Sequence, residues 1–264
     1  MIRISLIIML LLSSVATAQN TRTPIENGPP GMDDLFSIKE TFRFEVKYGL
    51  FKLGWVDVEL ESDSMFKGKS HHHLVTTITS NSKIPFVGKE KDVYHSLFYV
   101  NEEGLPVSTR FWKDNLDEDE FDEIVYEFDR DDGLVYYKEE DDSRDTLKLE
   151  EPATAGHIIF YFSRLFAGSE DPFTLPVYVT KKKGYILASN SLEKEKRNYK
   201  PFDGSVQTYM LSGSTDNITG PFGFSGDFRA WFLDDEYRVP LEARVKVLWG
   251  NVIVRLIEYN RESI

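Results

Sequence analysis

Strict two-residue alternation is the feature that most restricts what this chain can become. Phe42, Phe44, Val46 and Tyr48 take turns with Arg43, Glu45 and Lys47. In an extended strand that pattern puts the apolar side chains on one face and the charged ones on the other. After a bend expected over Gly49–Gly54, Val56, Val58 and Leu60 alternate with Asp57, Glu59 and Glu61 as the return strand. Near the other end, Ala243, Val245, Val247 and Trp249 alternate with Arg244, Lys246 and Leu248. Gly250-Asn251 then reads as a two-residue turn, and Val252, Val254 and Leu256 return.

Similar segments recur between these hairpins. Strands are expected near His72–Thr79, Asp92–Val100, Val107–Lys113, Phe121–Phe128, Leu134–Glu139 and Thr146–Leu149, then over Phe173–Thr180, Tyr185–Ser189, Lys194–Tyr199, Ser205–Ser212 and Asp227–Leu233. Asp131-Asp132-Gly133 marks a turn, because Gly tolerates positive φ. One segment breaks the rule. Ile158, Ile159, Phe162, Leu165 and Phe166 form a single stripe at helical spacing, which predicts one principal helix over Thr154–Ala167, stopped by Gly168. The fold class is therefore mainly β: a large antiparallel curved sheet, an open barrel or a two-sheet sandwich with one α-helix. Val93-Tyr94 and Leu97-Phe98-Tyr99-Val100 are apolar on both faces, as in a sheet that is covered or curled.

The front of the chain has a different character. Arg3, the apolar run Ile4–Leu12 and the small residues Ser13, Ser14 and Ala16-Thr17-Ala18 read as a cleavable secretory signal over 1–18. Cleavage after Ala18 removes one positive charge and takes the net charge from −13 to −14. No Cys stands near the cleavage point, which closes the lipoprotein route, and no later segment reaches the roughly 20 apolar residues of a spanning helix. Residues 19–35, rich in Pro and Gly, are expected to be a flexible leader, and 36–264 a single β-rich domain. The expected location is periplasmic or secreted. Zero Cys leaves stability to the core, for which 41% hydrophobic and 14% aromatic residues supply the material. The acidic balance speaks against nucleic acid and against polybasic membrane binding.

Candidate chemistry is sparse. On a strand, His71 and His73 share one face and could offer two imidazoles to a metal, with His95, His157 or a carboxylate completing the set, although an exposed strand start explains them more simply. The run Asp114, Asp117, Glu118, Asp119, Glu120, Asp122 and Glu123 lacks the glycine of a calcium loop and reads as a solvated face. Gly223-Phe224-Ser225-Gly226 is one residue short of a nucleophile elbow, and the absence of Cys excludes thiol catalysis. Asp227, Asp234, Asp235 and Glu236 are close in sequence, as a carboxylate pair for glycan hydrolysis would need, or they form a turn. Phe222, Phe224, Phe228, Trp231 and Trp249 are candidates to line an apolar or sugar-binding cavity, with core packing as the plainer role. No cofactor is expected.

Trp231-Phe232-Leu233-Asp234-Asp235-Glu236-Tyr237-Arg238-Val239-Pro240, followed by the Gly250 hairpin, resembles the closing signature of the bacterial "domain of unknown function 3108" family. The opening Phe42–Gly49 with Gly54, and Gly104-Leu105-Pro106, are similar to its first hairpin and mid-chain element. The resemblance covers roughly Phe36–Glu258. It implies a secreted or periplasmic β-rich protein of Gram-negative bacteria, and a signal ending Ala-Gln agrees with the Bacteroidetes. No catalytic residues come with it. The leading expectation is an exported, non-catalytic envelope protein that binds a hydrophobic small molecule, a lipid or an envelope protein on a curved sheet. An envelope glycan hydrolase and a structural or assembly component are the alternatives.

Overall fold

The structure, a computed structural model, describes residues 28–84, 91–114, 124–139, 141–179, 181–218, 226–247 and 250–263. The alternating segments form strands β1 (Ile38–Tyr48), β2 (Phe51–Phe66), β3 (Lys69–Ser80), β4 (Lys91–Val100), β5 (Pro106–Lys113), β6 (Ile124–Asp129), β7 (Leu134–Lys138) and β8 (Arg144–Lys148). A short β9 (Thr154–Ala155) leads into the helical segment, and β10 (Phe173–Val179), β11 (Lys182–Asn198), β12 (Ser205–Asp216), β13 (Asp227–Leu233), β14 (Pro240–Val247) and β15 (Gly250–Ser263) follow. All fifteen lie in one sheet, in the order 8-7-6-5-4-3-2-1-15-14-13-12-11-10-9. The chain thus runs outward from β1 by successive hairpins, and its last strand comes back to pair with its first. Every pairing is antiparallel except β9 with β10.

The ends of this sheet turn towards each other without joining. Tyr178 of β10 donates its hydroxyl to the Lys148 carbonyl on β8 at 2.9 Å and accepts the Glu150 N–H at 2.8 Å. Tyr126 of β6 accepts the Lys181 N–H at 3.0 Å. Beneath these bonds Phe111, Tyr126, Phe128 and Val135 pack against Ala153, Ala155 and Tyr178. Side chains and the single backbone bond from Ser108 N–H to the Ala153 carbonyl hold the curl where a continuous ladder would close a barrel.

The space inside is filled. Helix α2 (Ile159–Phe166) follows a single 3₁₀ turn at Gly156–Ile158, so the expected helix over Thr154–Ala167 is shorter, with β9 at its head. Gly156 shows why: its φ of +60° breaks the helical path, and a Cβ there would lie 2.1 Å from the Phe111 ring. The helix carries more than one apolar stripe. Ile158, Tyr161, Phe160 and Leu165 join Phe42, Phe44, Val58, Phe98 and Leu256, whereas Phe162, Ile159 and Phe166 pack on Leu175, Val177 and Ile218. A helix that is apolar all round belongs in an interior. Its one charge, Arg164, is fully buried and donates to Glu40 of β1 at 2.8 Å and to the Tyr237 carbonyl at 2.9 Å. Tyr259 donates to the other oxygen of Glu40.

Four further details depart from the sequence reading. Met32–Leu35, assigned to the leader, belong to the one-turn helix α1 (Met32–Phe36), whose Met32 and Leu35 are buried in the main core. Tyr48 pairs with Phe51, so the first hairpin turns tightly at Gly49-Leu50, and Gly54 sits within β2, where a Cβ would meet the Thr79 carbonyl at 2.2 Å. In the last hairpin Val247 pairs with Gly250, which puts the reversal before Gly250 and not at Gly250-Asn251. The segments expected at Tyr185–Ser189 and Lys194–Tyr199 are one strand, β11, with a register shift between Ser191 and Glu195.

Removing one partner of a buried ion pair leaves an uncompensated charge. Arg164→Ala is therefore expected to cost about 3–5 kcal/mol in urea unfolding. Arg164→Met combined with Glu40→Gln, which keeps an acceptor for Tyr259, should recover much of that. Equal losses in the single and double variants would refute the assignment.

Candidate functional site

The alternation that fills the interior also decides what lies outside. Across β10–β13 the rung Phe173, Ala188, Gly213 and Phe228 faces the core, with Leu211, Ala230 and Phe232 beside it. The flanking rungs therefore face outward: Ser189, Ser212, Arg229 and Arg244 form one, and Leu187, Ser214 and Asp227 the other. With Thr174, Lys246 and Asn251 they border an open groove of about 860 Å³. Small side chains leave its floor low. Register shifts between Ser191 and Glu195 and between Trp231 and Phe232 add the local twist that hollows the outer surface.

The groove is basic. Arg229 is exposed and has no ion pair or hydrogen bond among the described residues. Lys246 reaches Asp227 only loosely, at 3.7 Å. Arg244 is held in place: its Nε donates to Glu242 at 2.6 Å, and its guanidinium lies 5.1 Å from the centre of the Trp231 ring. Arg197 covers the same ring at 4.0 Å and reaches the same carboxylate at 2.9 Å, and Arg255 donates to its other oxygen at 2.7 Å. One buried carboxylate thus serves three guanidiniums.

This geometry places the candidate residues. Trp231 is buried beneath the arginines, with its indole N–H donated to Glu195 at 3.0 Å, and does not line the groove. Phe228 borders the groove from the core-facing rung. Phe222, Phe224, Trp249 and the Gly223-Phe224-Ser225 stretch lie outside the described residues, as do Asp117–Glu123. His71 keeps to its own turn, with Nδ1 at 3.0 Å from the Lys69 carbonyl, between Phe66 and Tyr99. His73 instead meets His95, Nε2 to Nδ1 at 2.9 Å, and His95 continues to Asp114 at 3.0 Å. Trp112 stacks on His95 at 4.7 Å. Burial, reinforced by His95, holds His73 below the usual imidazole range. Among the described residues no three His, Asp or Glu side chains converge as a metal site.

Asp234 and Asp235 have structural partners. Asp234 pairs with Lys194 at 3.0 Å. Asp235 accepts the Tyr237 and Val239 N–H groups at 3.2 and 3.3 Å and pairs with Arg261, while burial raises its carboxyl above the ordinary value. Arg238, also buried, donates to the Ala167 carbonyl at 2.9 Å and ties this turn to the end of α2. Asp129 accepts the N–H groups of Asp131 and Asp132, both at 3.0 Å, and so shapes the turn at Gly133.

Sequence reasoning did not single out Ser189, Ser212, Arg229 and Arg244. Their outward positions were visible as the polar half of four alternating patterns. Their membership of one rung depends on register, which alternation leaves open.

A fifteen-stranded sheet curled around one helix, open along a side-chain seam, defines a barrel-like β-protein. The chain belongs to the family described as "Protein of unknown function (DUF3108)", whose model matches residues 43–257. It is also similar to the crystal structure of a β-barrel-like protein of domain of unknown function DUF1849 from Brucella abortus, at 9% identity and a TM-score of 0.49, over 86% of this chain and 99% of that one. Among curated proteins nothing matches. No helix among the described residues is long and apolar enough to cross a membrane.

One buried imidazole contributes a pH dependence to stability. His157, between the rings of Tyr94 and Phe111, has no partner for Nδ1 among the described residues, and burial pushes it down to about 4. Between its ordinary value and about 4 the unfolded chain takes up a proton that the folded chain refuses, so stability is retained above that window and falls as pH drops through it. His157→Gln is expected to flatten the dependence of the urea midpoint on pH over this range, by at most about 1.4 kcal/mol per pH unit. An unchanged slope would contradict it.

Proposed function

We propose that the protein is an exported, non-catalytic binding protein of the cell envelope, and that its ligand or partner docks in the groove outside β10–β15. One observation carries this reading: α2 already occupies the concave side, so the curled sheet presents its open, ligand-sized surface outward. A volume of about 860 Å³ falls within the usual range for small-molecule sites. Leu187, exposed on the outward rung, supplies an apolar part of the border for a hydrophobic or lipidic portion, and the serines and cations supply the polar part. The non-catalytic part of the reading draws on the same border. Among the described residues Asp227 is the one carboxylate of the border, which shows no acid–base pair there, and Asp234 and Asp235 do not line it. Export rests on the signal at Met1–Ala18.

Native mass spectrometry of protein recovered from the periplasm tests the reading. An associated species is expected, and Ser212→Trp, which fills the groove without touching the core-facing rung, should release it. Protein that carries nothing, or a species retained by the filled variant, would overturn the assignment.

A further inference from the structure

We propose that the groove takes an anionic, hydroxyl-rich chain: a glycan bearing carboxylate or phosphate groups. This deepens the binding reading above and rests on it. The first support is the distribution of charge. The chain as a whole carries −13, yet among the described residues the border of the groove holds Arg229, Arg244 and Lys246 against Asp227. The overall field repels anions. A local excess of cations on such a molecule therefore selects where an anion can rest.

Pairing within the rung is the second support. Arg229 lies directly opposite Arg244 in the ladder, a like-charge arrangement that opposes folding. Arg244 already shares Glu242 with two other arginines, and Arg229 has no counter-charge among the described residues. An anionic ligand would neutralise what the fold leaves unbalanced. Arg244 is preorganised for it by Glu242 and the Trp231 ring, and a guanidinium offers the paired donors that suit carboxylate and phosphate oxygens.

The same rung extends the chemistry. Ser189 and Ser212 continue it from Arg229, so two hydroxyls follow two guanidiniums across four neighbouring strands. Strands lie about 4.8 Å apart, so the row extends over roughly 15 Å, enough for several sugar hydroxyls in succession. Single-stranded nucleic acid would want exposed stacking rings. Among the described residues, Trp231, an indole beside the groove, is covered by Arg197 and Arg244.

The test uses the mature protein with polygalacturonate as the carboxylated probe, phosphomannan as the phosphorylated one, dextran as the neutral control and phosphatidylglycerol vesicles as the lipid surface. Binding to polygalacturonate or phosphomannan is expected, weakening with salt, with little binding to dextran. Arg229→Ala should weaken it about tenfold, the worth of one charge-assisted contact. Its thermal midpoint should not fall, because Arg229 has no counter-charge among the described residues and stands opposite Arg244. Binding to dextran as strong as to the charged glycans, or to vesicles alone, would overturn the ligand class; if Ser212→Trp abolishes that binding, the groove stands. Failure of every probe, with Ser212→Trp retaining whatever species co-purifies, would overturn groove and ligand class together.

Discussion

A guanidinium sealed inside the curl organises this molecule. Arg164 sits on a helix of eight residues, with the rings of Phe42, Phe160 and Tyr161 5.6–5.8 Å from its charge. Such a group is tolerable in an interior only when its counter-charge is equally fixed. Glu40 meets that need from the first strand, and Tyr259 steadies Glu40 from the last. The contact therefore joins three parts of the chain that must be in place together: the helix and the two strands whose pairing brings the sheet's middle together. Arg238 adds a second tie at the same, C-terminal end of α2 through the Ala167 carbonyl. Two buried arginines thus set where the helix lies, and the aromatic rings fill in around it.

With the inside committed to packing, the outer face carries the chemistry that remains. There the sheet is covered in part by its own polar side chains. Arg197 and Arg244 enclose Trp231, and the row of His73, His95 and Trp112 lies above the buried Leu97 and Val75. Glu45 belongs to the same face: burial works to raise its carboxyl, but Lys47 and Lys52 outweigh that and hold it below the usual range. Such patches explain why strands that read as apolar on both sides need no second sheet. Between them, over the small residues of β11 and β12, the covering layer thins and the groove opens.

What was legible in the sequence follows from what alternation encodes. Facing is encoded, so most strands, the turn at Gly133 and the single helical segment could be read directly. Register is not: in the last hairpin the observed pairing of Val247 with Gly250 differs from a Gly250-Asn251 turn by an even number of residues, and every side chain keeps its face in both. Helix limits were blurred because Gly156 and the Ala153–Ala155 stretch act through contacts with Phe111 and Ser108, far away in the chain. Met32 and Leu35 were hidden by their Pro- and Gly-rich neighbours. The motif that signalled the family, Asp234 through Pro240, proves to be a structural clasp, so it announced kinship without pointing to a site. The groove needed the register of five strands before its arginines became neighbours.

The seam between β8 and β10 gives this barrel a different failure mode from a closed one. A continuous ladder must lose its backbone bonds together, but this curl is latched by the hydroxyls of Tyr126 and Tyr178, the Lys181–Asp141 and Lys183–Glu150 ion pairs and the bond from Ser108 N–H to the Ala153 carbonyl, over a small aromatic layer. Unlatching it would let β6–β8 swing as a leaf about β5 while every ladder bond of the sheet survived. The exposed edge is also protected from recruiting foreign strands, because β8 carries Arg144, Asp145 and Lys148 along five residues. Compliance and resistance to aggregation are thereby combined in the same border.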